Sequence, residues 1–75
     1  MSRADRLLKR HIRTRYLVTL ATGEAFDGVL IDADERHIVL ADVESVAPNG
    51  DRLTVDGHLW LPRPGVAYMQ LPRII

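Results

Sequence analysis

Four turn signals at near-even spacing constrain this chain more than any other feature. Thr22-Gly23-Glu24, Asp34-Glu35-Arg36, Ala47-Pro48-Asn49-Gly50-Asp51 and Pro62-Arg63-Pro64-Gly65 divide residues 16–71 into short segments that alternate in polarity or are rich in β-branched residues. Glycine supplies the positive φ that a tight turn needs, and Asn-Gly and Pro-Gly steps punctuate strands. The segments between them predict strands. From Tyr16, Val18 and Leu20 alternate with Thr19 and Ala21. Ala25 to Ala33 places Phe26, Gly28 and Leu30 on one face and Val29 and Ile31 on the other. His37 to Val46 is the third strand. Leu53 to Leu61 is a fourth, interrupted at Asp56-Gly57, and Val66 to Leu71 is a fifth, ended by Pro72. Gly28 in mid-strand weakens pairing unless the strand bends there or another backbone approaches closely. Short strands at such spacing build a small barrel or sandwich.

Before Tyr16 the pattern is different. Ser2 and Asp5 have capping-box spacing, and Leu7, Leu8 and Ile12 make a narrow apolar stripe on a basic helix over about residues 3–12. The expected class is therefore mainly β: an N-terminal α-helix followed by five antiparallel strands over about 16–71. The whole makes a single domain spanning 1–75. The net charge is zero but unevenly spread. Residues 1–15 carry six Lys and Arg against Asp5, a net of +5, while residues 16–75 carry four Arg against nine acids, a net of −5. Such asymmetry points to an anion-facing segment or to self-association through opposite charges.

Length and composition exclude several classes. At 75 residues the chain buries a small share of its surface, so partners are expected to contribute to its stability. With no cysteine there is no disulfide framework, thiol nucleophile or thiolate metal site. No apolar run approaches the ~18 residues of a membrane span. The amino end lacks the apolar region of a secretory signal, so a cytoplasmic location and no membrane partner are expected. The last strand, VAYMQL, has few charges and as an exposed edge would pair with another chain.

The pattern Val18-Thr19-Leu20, Gly23, Phe26-Asp27-Gly28-Val29-Leu30, Asp34, then His37-Ile38-Val39-Leu40-Ala41-Asp42 resembles the first motif of the Sm and Sm-like (LSm, Hfq-type) family. Leu59-Trp60-Leu61-Pro62-Arg63-Pro64-Gly65-Val66-Ala67-Tyr68-Met69 resembles the shorter second motif. The resemblance covers roughly residues 4–71, and compact Arg-rich chains of this kind look like those of actinobacteria and their phages. It implies a bent five-stranded small barrel capped by an N-terminal helix. Rings of six or seven copies then form, the fourth strand of one pairing with the fifth of the next. It also implies non-catalytic binding of single-stranded RNA at two pore turns. Asp34 matches the family's acid, and His37 falls near its Asn position with Arg36 beside it. Arg63 stands in for an Arg-Gly pair but is displaced and followed by Pro64. Histidine and arginine stack on bases or bind phosphate. Arg6, Arg10 and Arg13 on the basic segment add a face for phosphates, repeated around a ring.

Each feature also has a plainer reading: a solvated turn for Arg36 and His37, a subunit ion pair for Arg63 with Asp34 or Glu35, and a solvated outer face for the helix. Tyr16, Phe26, Trp60 and Tyr68 read as core or interface residues, Trp60 as packing between two leucines. A structural or protein-interaction ring without nucleic acid is the alternative function. Catalysis, cofactors, metals and a small-molecule substrate are not expected. Asp32 and Asp34 lack a third ligand, His11, His37 and His58 have no zinc spacing, and Ser2 and Ser45 lack a base-and-acid arrangement.

Overall fold

The computed structural model describes residues 13–71. Within them the chain forms six strands: β1 (Arg15–Leu20), β2 (Ala25–Ala33), β3 (His37–Val46), β4 (Arg52–Val55), β5 (Leu59–Pro62) and β6 (Val66–Gln70), with a 3-10 turn at Arg63–Gly65 between the last two. All pairings are antiparallel, in the order β4-β3-β2-β1-β6, with β5 also paired to β3. The second and third strands have the expected bounds. The expected helix over 3–12, with Arg6 and Arg10, lies outside the described residues.

The expected fourth strand is two strands, which makes six instead of five. The reason lies in a line of bends across the sheet. At Gly28 the β2–β3 register slips, so that β3 carries an extra residue between Ala41 and Glu44. Asp42 takes it up at φ 52°, an unusual conformation for a residue with a Cβ. Opposite that bulge, Asp56-Gly57-His58 leaves the ladder, with Gly57 at φ 73°. β4 therefore pairs with the end of β3, from Val43 to Val46, and β5 with its beginning, from His37 to Leu40. A second slip between Leu30 and Asp32 adds curvature to β2.

Gly28 is needed at the bend for space, not for dihedral freedom. A Cβ there would lie 3.1 Å from Leu40 Cβ, 3.1 Å from Val43 Cγ2 and 3.3 Å from the Ala41 carbonyl oxygen. The curved sheet wraps one core of Tyr16, Val18, Leu30, Ala33, Ile38, Leu40, Val43 and Leu61, with Phe26, Val55, Val66 and Met69 packed against it. Alternation decides membership: Tyr16 and Val18 of β1 point in, while Arg15 and Leu17 do not.

On the outer face at the bend lies a polar cluster that no motif indicated. The Asp27 carboxylate is buried between two guanidinium groups, Arg15 Nη1 at 2.8 Å and Arg52 Nη1 at 2.7 Å. Arg15 also reaches Asp42, and Arg52 reaches Glu44 at 3.3 Å. The cluster ties β1, β2, β3 and β4 together where the sheet bends.

Candidate nucleic-acid interface

The turn between β2 and β3 is built by Asp34. Its Oδ1 accepts the backbone N–H of Arg36 and that of His37, each at 2.8 Å, and its own N–H donates to the His37 carbonyl at 2.9 Å. This is an Asx turn, the local preference of aspartate. The N–H of Arg36, then that of His37, holds the Asp34 carboxyl below its ordinary pKa.

The second turn locks onto the first. His37 is register partner to Pro62. The Arg63 N–H donates to the Arg36 carbonyl at 2.8 Å, and Arg63 Nη1 donates to the Asp34 carbonyl at 2.6 Å. On its other side the 3-10 turn is held by the Ala21 N–H on the Gly65 carbonyl at 2.8 Å. Proline at 62 and 64 restricts φ on both sides of Arg63.

Arg63, distant in sequence, thus meets Asp34, Arg36 and His37 at one corner. Their roles divide. Asp34 and Arg63 build the corner, Arg63 through the carbonyl of Asp34. The side chain of Arg36 is exposed and His37 is half-buried. Arg13 is not hydrogen-bonded to this group: it is an exposed residue at φ 73° whose N–H donates to the Leu30 carbonyl. Arg15, counted in the basic segment, is engaged by Asp27 and Asp42.

Trp60 is not a core residue of the single chain. It is 64% exposed, and its ring lies 6.1 Å from that of His37 at an interplanar angle of 59°. The signal was present in the sequence: Leu61 points into the core, so its neighbour in an extended strand points out. The paired carboxylates are likewise absorbed by the backbone, Asp32 by the N–H of Ala33 at 2.8 Å and Asp34 by its turn. Among the described residues, no three His, Cys, Asp or Glu side chains group to hold a metal.

No family model matches the sequence, and no curated protein matches it. Solved structures do. A heptameric SmAP1 from Pyrobaculum aerophilum superposes with a TM-score of 0.83 at 19% identity, covering 97% of each chain. The Pyrococcus abyssi Sm protein, solved with a uridine heptamer, gives 0.80 at 27% identity over 92% of this chain and 97% of its own. A chain in the structure of the NatC complex bound to CoA gives 0.75 at 21% identity, covering 88% and 84%. The chain has the Sm fold. That fold is the one the two sequence motifs indicated.

Proposed function

We propose that this chain assembles into a homo-oligomeric ring that binds single-stranded RNA, without catalysis, at the corner formed by the two turns. The observation that carries the reading is the locked corner itself. Asp34 and Arg63 spend their polar groups on fixing the turn, so that Arg36 and His37 are presented from a rigid frame. A cation on a fixed backbone beside an imidazole ring suits a base and its phosphate, and the Pyrococcus abyssi Sm protein was solved with a uridine heptamer.

Assembly follows from the edges. β4 and β5 bound one side of the sheet and β6 the other, with no further strand paired to either among the described residues. Apolar side chains stand exposed on both sides, Leu53 on one and Tyr68 and Leu71 on the other. Unlike edges that complement each other make a head-to-tail contact, which closes into a ring if the rotation permits. Light scattering should give a discrete mass of six or seven copies, and Tyr68→Asp should reduce it to monomer. A monomeric wild-type chain would sink the ring.

Fluorescence anisotropy with labelled oligouridine tests the binding. Arg36→Ala combined with His37→Ala should weaken binding at least ~10-fold, about 1–3 kcal/mol per lost stacking or charge contact, with the ring mass unchanged. Arg10→Ala and Arg13→Ala should flatten the salt dependence if the basic segment also holds phosphates. A specific observation favours a second reading, a ring or subunit serving protein interaction: Pro64 replaces the glycine that would follow Arg63, and one structural neighbour is a chain of a protein complex. Wild-type chain that binds no oligonucleotide at low salt would select that reading.

A further inference from the structure

We infer that Trp60 is a base-stacking residue, forming with His37 a second contact for the strand beside the turn corner. The inference rests on the RNA reading above and extends it to a residue on a strand instead of a turn.

Trp60 lies on the outer face of β5, opposite Val39 of β3. Val39 is buried but does not join the core cluster of its neighbours Ile38 and Leu40, so it sits on that same outer face. His37, two residues before Val39, shares the face, and its ring meets Trp60 at 6.1 Å. The three make an aromatic patch with an apolar floor. The indole is 64% exposed in the single chain, so it is open to a ligand wherever a ring neighbour does not cover it. At one end of the patch stands the corner that carries Arg36, tied to Arg63 through its carbonyl. Flat aromatic surface next to a cation on a fixed backbone is a pattern that takes an unpaired base with its phosphate, and it tolerates any base because each has a π face. Leu53, the other large exposed apolar residue on this edge, lies with Phe26 and Pro48 along a different groove.

Trp60 is the chain's one tryptophan, so its emission reports the site directly. The full chain is titrated with oligouridine while anisotropy of the labelled strand, tryptophan emission and mass by light scattering are followed. Stacking quenches the emission in step with binding. Trp60→Ala weakens binding about 10-fold with the ring mass unchanged, and Trp60→Phe, which keeps a π face, restores most of it. Three outcomes overturn the inference. Binding with unchanged emission and no loss in Trp60→Ala removes Trp60 from the site and leaves the turn corner standing. Dissociation of the assembly in both Trp60→Ala and Trp60→Phe makes the residue a subunit contact. Absence of oligonucleotide binding by the wild-type chain removes the RNA reading and this one with it.

Discussion

Gly28→Val should leave the chain largely unfolded at 25 °C. The site admits no side chain without movement. A single Cβ would approach Leu40 Cβ and Val43 Cγ2 to 3.1 Å, closer than nonbonded carbons settle. Val43 Cγ2 ends a side chain and has some freedom, but Leu40 Cβ is fixed to the β3 backbone and moves only with it. Leu40 and Val43 are both at the centre of the core, 0% and 1% exposed, so shifting either disturbs the packing of β2 against β3. Overpacking of this kind costs about 1–3 kcal/mol for one methyl and more for a branched side chain. A small domain has only ~5 kcal/mol to lose. Gly28→Ala is the graded control: it should fold, with a urea midpoint lowered in proportion to about 1–3 kcal/mol. Equal midpoints for wild type and Gly28→Ala would show that the bend relaxes at no cost. Because assembly stabilises folded protomers, the comparison is made at one protein concentration.

The same bend explains which parts of the molecule were legible in the sequence. Glycine in mid-strand announced a bend in β2, and the alternation of Val18 with Thr19 and the shared face of Phe26 and Leu30 announced the side turned to the core. The turns were legible because Gly23, Asp34 and Gly50 each carry a local preference that needs no distant partner. What the bend does to its neighbours was not legible. Asp42 at positive φ and the exit of Asp56-Gly57-His58 from the ladder are answers to a register slip, and register is set across strands. One interrupted strand and two strands therefore look alike in the sequence. Of the candidate site, the residues of the corner were legible and their division of labour was not. Nothing local to Arg63 says that its guanidinium ends on the Asp34 carbonyl. That Trp60 stands outside the core does not show in its flanking leucines, which in a strand face the other way.

The polar cluster at the bend yields the second large effect, and its sign with pH can be fixed. Burial alone would raise the pKa of the Asp27 carboxyl; the hydrogen bonds from Arg15 and Arg52, with their charges, outweigh it, and the net shift is below the ordinary value of 3.8. A carboxyl whose folded pKa is depressed contributes stability in full above its unfolded pKa. That contribution is lost as pH falls through the folded one. Asp27 should therefore stabilise the fold throughout the neutral range and cease to do so only below about pH 4. Removing it leaves Arg15 and Arg52, both drawn to one carboxylate, facing each other without it. Those side chains are 38% and 45% exposed, so water screens part of the loss. Asp27→Ala should cost about 2 kcal/mol, below the 3–5 typical of a fully buried pair. Asp27→Asn should be no milder, although its shape is conserved. An amide presents one acceptor and one donor where the site holds two donors, so its NH2 meets a guanidinium N–H. Thermal melts across pH separate charge from packing. The gap in Tm between wild type and Asp27→Asn should be widest at neutral pH and close as acid protonates Asp27 in the wild type. A gap that stays constant down to pH 2 would show that Asp27 acts by shape alone.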